Sequence, residues 1–160
     1  MTTLHLGVID IPYAYDQEQL SKRGKPIKRK KKVTLSITTG DVAEILEKKY
    51  HPMETFFEIH RQEIGDQLAQ AYVGSFQRLH ATGQATENPA QSAMDWMQNR
   101  FKEFLAKREI EGLGIPGVPT QAALDGVSHR FAHPYAKRPS RPSFIDTGLY
   151  SSSARFWIDQ

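Results

Sequence analysis

The chain has 160 residues, 39% hydrophobic and 24% charged. That is the length of one ordinary domain with a modest core, and it excludes a collagen-like or wholly disordered chain. With no cysteine, disulfides, thiolate metal sites and a cysteine nucleophile are excluded, and the net charge of +3 divides unevenly along the chain. Between Lys22 and Lys32 lie eight basic residues and no acidic one, against 13 basic and 18 acidic residues elsewhere. No apolar run approaches the length of a membrane span. Met1–His5 lacks the basic start and apolar run of a signal peptide.

Leu4, Leu6 and Val8 alternate with His5 and Gly7, the period of a half-buried strand. Val33, Leu35 and Ile37 alternate with Thr34, Ser36 and Thr38 and predict a second strand rich in β-branched residues. The polar excursion between them contains Pro12, Gly24 and Pro26 and reads as a basic extended loop or arm over residues 11–32. Past Gly40 the period turns helical, with Asp41 as cap and Glu44 at the capping-box position. Tyr50-His51-Pro52 ends that helix, and Pro52 suits the first turn of the next.

Apolar positions from Met53 to Leu79 keep helical spacing, predicting one helix from Pro52 to His80. Its apolar arc, which includes Tyr72 and Phe76, spans roughly 200°, wider than an ordinary surface helix requires, and Ile59 falls outside even that arc. Asn88, Pro89 and Gln91 signal the start of another helix, whose stripe is Met94, Met97, Phe101, Phe104 and Leu105. Trp96 lies about 160° from the centre of that stripe and is expected at the surface. A short loop between the two long helices implies an antiparallel pair.

Residues 112–119 form a Gly/Pro-rich connection that cannot continue a helix. Thr120 is placed to cap a short helix ending near Arg130, and Lys137, Arg138 and Arg141 lie in a basic, proline-rich stretch. Asp146-Thr147-Gly148 predicts a cap or turn into a short helix, and Arg155–Ile158 a final strand able to join the N-terminal one. The reading is a single α+β domain over residues 1–160. A small mixed or antiparallel sheet from both chain ends packs on a long antiparallel helical hairpin, with extended arms.

The densest chemical signal is the basic run of Lys22, Arg23, Lys25, Lys28, Arg29, Lys30, Lys31 and Lys32. Such a run neutralises phosphates without reading sequence, or pairs with an acidic neighbouring subunit; aromatic residues for base stacking are missing from it. His129 and His133 have the four-residue spacing of metal ligands on a helix, but no His-Glu-x-x-His pattern surrounds them and Pro134 follows at once. His60 sits within the apolar stripe as a core residue. Ser151-Ser152-Ser153 lacks a nucleophile-elbow glycine pattern, and the glycines at 112–117 lack the Gly-Lys-Ser/Thr ending of a phosphate loop. No catalytic constellation, metal site or cofactor site is expected.

Arg138-Pro139-Ser140-Arg141-Pro142-Ser143-Phe144-Ile145-Asp146-Thr147-Gly148-Leu149-Tyr150 resembles the arginine-proline, then aspartate-threonine-glycine, then short helix and strand near the end of small tailed-bacteriophage morphogenesis proteins. These include minor tail and head–tail joining proteins. Tyr50-His51-Pro52-Met53-Glu54-Thr55-Phe56-Phe57-Glu58-Ile59-His60 similarly resembles virion proteins of contractile-tailed phages. The resemblance implies a non-enzymatic structural protein of the virion, a ring-forming homo-oligomer of the neck: a head–tail connector, collar, tail terminator or tail-completion component. Its partners would be neighbouring neck and tail proteins, with DNA in the channel and no membrane. Ile59, Tyr72, Phe76, Trp96, Arg138 and Arg141 are the expected subunit-interface residues, and residues 10–32 and 112–119 the expected clasping arms. The alternative is a nucleic-acid-binding accessory protein that uses Lys22–Lys32.

Overall fold

A computed structural model describes residues 3–12, 37–127, 138–146 and 148–159. The two chain ends meet as strands β1 (Thr3–Val8) and β2 (Ala154–Asp159), paired antiparallel with Leu4 opposite Ile158 and Leu6 opposite Phe156. The alternation seen in the sequence decides their faces. Leu4, Leu6 and Val8, with Ala154, Phe156 and Ile158, turn to the core, while His5 and Trp157 stack on the opposite face, 5.2 Å between ring centroids. This is the α+β arrangement expected, with a two-stranded antiparallel sheet among the described residues.

Helix α1 (Thr39–Tyr50) starts two residues before the expected cap, Asp41. Thr38 is the cap: its hydroxyl accepts from the Asp41 N–H at 3.2 Å, and the Asp41 carboxylate accepts from the Thr38 N–H at 2.9 Å. Asp41 therefore closes the capping box instead of opening it. His51, at φ 50°, ends α1, and Pro52 begins α2 (Pro52–Ile59) as expected.

The predicted Pro52–His80 helix is interrupted once. His60, at φ −97° and ψ 13°, separates α2 from α3 (Arg61–Thr82). Bonds from His60 N–H to Phe56 and from Ile64 N–H to His60 preserve the helical ladder there, so the apolar spacing runs through the break without a trace. Gly83, at φ 68°, ends α3.

Helix α4 (Gln91–Ala106) returns alongside α3 and carries the core. It begins after a turn in which Asn88 Oδ1 accepts from Ala90 N–H at 3.2 Å, so Asn88 shapes the entry without capping the helix. The predicted stripe of Met94, Met97, Phe101, Phe104 and Leu105 is buried throughout. Against it stand Phe56 from α2, Ile64 from α3, and Phe156 from β2, with the Phe56 ring edge-on to Phe101 at 5.2 Å and to Phe104 at 5.5 Å. Full burial of such rings contributes about 2–3 kcal/mol apiece.

A 3-10 turn (Glu109–Leu113) follows, and residues 112–119 fold back on the body where a free arm was expected: Val118 is buried and Ile115 packs on the core. Thr120 caps α5 (Gln121–Leu124), which ends before the expected Arg130. The last helix, α6 (Leu149–Ser153), has Gly148, at φ 77°, at its N-cap. It delivers Tyr150 to the core and leads directly into β2.

Candidate functional site

Three features outside the core carry chemistry. The first is the base of the basic segment. Residues 13–36 lie outside the described residues, and with them all of the predicted Val33–Thr38 strand but its last two residues, and all eight cations from Lys22 to Lys32. The residues that bracket the segment are tied together. Thr39, fully buried, donates its hydroxyl to Ile9 C=O at 2.6 Å and accepts from Ile11 N–H at 2.8 Å, while its own N–H reaches Ile11 C=O at 2.9 Å. Pro12 and Thr38 form an antiparallel bridge. Gly40 N–H donates to Asp10 Oδ1 at 3.0 Å, and a Cβ on Gly40 would stand 2.8 Å from that oxygen and push the Asp10 carboxylate aside. The Thr38 side chain and the Gly40 N–H hold the Asp10 carboxyl below its ordinary value. The described residues on either side of the segment, Pro12 and Thr38, are thus held at one point.

The second feature is the far half of α3. Ile64 is its single buried residue, and Leu68 and Ala71 are half-buried. Beyond them Tyr72, Val73, Phe76 and Leu79 are exposed, Phe76 at 70%. A contiguous row of large apolar side chains on one projecting helix differs from the scattered apolar residues every surface carries. Ile59 is also exposed, as its position outside the arc predicts. Trp96, expected at the surface, is half-buried and packs against the core, because the neighbouring elements wrap further round α4 than a single stripe implies.

Arg141 is committed within its own loop. Its guanidinium donates to Ile145 C=O at 2.8 Å and to Val127 C=O at 3.1 Å, and its Nη2 lies 3.8 Å from Asp146. Nearby, Arg138 is half-buried, and a Cβ on Gly126 would meet its Cβ at 2.8 Å. The arginine-proline stretch therefore folds the C-terminal segment onto α5. Ser143 continues that work: it is buried, its N–H donates to Glu111 at 2.7 Å, and its hydroxyl accepts from Thr120 N–H at 3.2 Å.

The third feature is a charged group beneath the α2–α3 break, which sequence reading missed. His60 is buried between Phe56 and Phe104, its two nitrogens 3.3 Å from Glu63 and 3.7 Å from Glu109. Arg100 closes the group with two 2.8 Å bonds to Glu109. These bonds hold Glu109 below its ordinary value and raise Arg100 further. The residues come from three elements, so no local motif announces them.

Among the described residues one trio has ligand atoms close enough for a metal ion, Glu47, His51 and Glu54. Both Glu47 oxygens already accept backbone N–H groups, of Met53 and Glu54 at 3.0 Å, and His51 pairs with Glu54 at 2.9 Å. Glu47 thus caps the N-terminus of α2. His129 and His133 lie outside the described residues. Among the described residues no helix is long and apolar enough to cross a membrane. Comparison with protein-family models, with curated proteins and with solved structures finds no match for this chain.

Proposed function

We propose that the protein is a structural component of a tailed-phage virion, a ring-forming neck protein of the connector, collar, tail-terminator or tail-completion kind. The observation that carries this reading is the uncovered apolar row on α3. Tyr72, Val73, Phe76 and Leu79 project on a helix whose base is anchored in the core and whose end is not. A ring subunit meets its neighbours through two different faces, and a projecting apolar helix serves as one of them. The resemblance at Arg138–Tyr150 and Tyr50–His60 supports the same reading. Light scattering and electron imaging of the purified protein, alone and with a portal or tail partner, test it. Closed rings are expected; a single chain under all these conditions overturns the proposal.

A second reading, a nucleic-acid-binding accessory protein, draws on the clasp at Thr39. Eight cations lie between two chain positions that are held together. In a ring, the same segment would face DNA in the channel or an acidic neighbour.

A further inference from the structure

The β1–β2 ladder leaves one edge of β2 unguarded. Ile9 N–H donates to Ser153 C=O at 2.9 Å, which makes Ile9 and Ser153 a hydrogen-bonded pair. Hydrogen-bonded pairs recur every second residue in an antiparallel ladder. The register then makes Gly7–Arg155, His5–Trp157 and Thr3–Asp159 the bonded pairs, so the N–H and C=O groups of Phe156 and Ile158 point away from β1. No hydrogen bond among the described residues takes them up. Natural edges are guarded by a charge, a proline or a covering loop. Here Arg155 covers only the start, donating to Ser152 and Ala154 carbonyls. The rest of the strand borders a groove of about 530 Å³ that Arg155–Ile158 line together with the 87–91 loop, the start of α4 and Tyr72 of α3.

We propose that this edge pairs antiparallel with β2 of a second copy, with Trp157 facing Trp157 across a two-fold axis. The sequence of β2, Ala-Arg-Phe-Trp-Ile-Asp, is self-complementary in that register. Arg155 stands opposite Asp159 of the second copy, twice, and Phe156 opposite Ile158 on the inner face. The outward groups of Phe156 and Ile158 form four main-chain hydrogen bonds with their counterparts. Trp157 and the Arg155–Asp159 pairs then occupy non-hydrogen-bonded sites, where side chains approach most closely. Trp157 is 43% exposed, and Asp159, which lies 2.9 Å from His5 Nε2 through one carboxylate oxygen, is 66% exposed at its side chain, so both have surface to give. The two copies form one four-stranded sheet, and the groove beside it shares Tyr72 with the apolar row of α3.

Two experiments on the full chain test the register. Arg155→Asp and Asp159→Arg each place like charges opposite one another in a homodimer, yet complement each other when mixed. Each variant alone is expected to associate at least tenfold more weakly than the parent, with an equimolar mixture regaining the parent's mass by sedimentation. Because the natural chain has no cysteine, Trp157→Cys places one thiol facing its own copy, at a separation a disulfide spans. It should oxidise rapidly to a covalent dimer, whereas Arg155→Cys, opposite Asp159, should not. The proposal is overturned if the parent is a single chain, if the charge variants keep its mass, if mixing restores nothing, or if the two cysteine variants cross-link alike.

Discussion

Arg100 and Glu109 stand nine residues apart, on α4 and on the turn that follows it, and meet through two parallel bonds above the buried His60 imidazole. Nothing in the sequence couples them, because the pairing depends on where the chain turns after Ala106. Their side chains are 21% and 32% exposed, so solvent weakens the pair without cancelling it. Arg100→Met keeps the aliphatic stem and removes the bonds, and is expected to lower stability by about 1–2 kcal/mol at neutral pH. Glu109 titrates below its ordinary 4.5 because Arg100 hydrogen-bonds to its ionised form. A lowered carboxyl stabilises the fold above the unfolded-state pKa, and that contribution disappears as pH falls through the folded-state value. The difference between parent and variant should therefore hold steady above about pH 5 and shrink below about pH 4. Urea unfolding at pH 7, 5 and 3 checks this. A difference unchanged at pH 3 would assign it to packing of the stem.

At the scale of elements, periodicity revealed what faces inward and little about where things stop. The α4 stripe, the two terminal strands and the break at His51-Pro52 are local patterns, and each is found where it was expected. The interruption at His60 escapes notice because hydrogen bonding continues across it. The wide arc on α3 has a divided explanation: Ile64 meets the core near the helix start, while Phe76 and Leu79 meet none of it. A wheel projects the whole helix onto one circle and loses position along the axis, which here separates folding residues from candidate contact residues. Two substitutions measure that separation. Phe56→Ala, at a ring wholly buried, should cost about 3–5 kcal/mol of folding stability. Phe76→Glu, at a ring 70% exposed, should change it by no more than about 0.5 kcal/mol yet abolish ring assembly. Unfolding curves beside light scattering report both quantities. If Phe76→Glu assembles like the parent, the apolar row on α3 is not a subunit contact.

At the scale of the molecule, the net charge of +3 describes no surface. Residues 13–36 contain eight basic and two acidic residues, and the rest of the chain thirteen basic and sixteen acidic. A mildly acidic body thus holds a strongly basic segment by its two ends, at a clasp built from the backbone and the buried hydroxyl of Thr39. The charge run was plain in the sequence; the clasp was not, since it joins residues 28 to 30 apart through one threonine and one glycine. Cations that neutralise duplex phosphates release counterions, so binding weakens steeply with salt. With all eight engaged, log K against log salt would fall with a slope of about −7. Replacing Lys28, Arg29, Lys30, Lys31 and Lys32 with glutamine should make that slope shallower by about 4. The titration belongs on the isolated chain and again on the assembled ring. A steep slope in both places the segment toward DNA in the channel. A slope seen in the isolated chain and absent from the ring places it against the acidic surface of a neighbouring subunit. Negligible binding at low salt in either form removes nucleic acid as its partner.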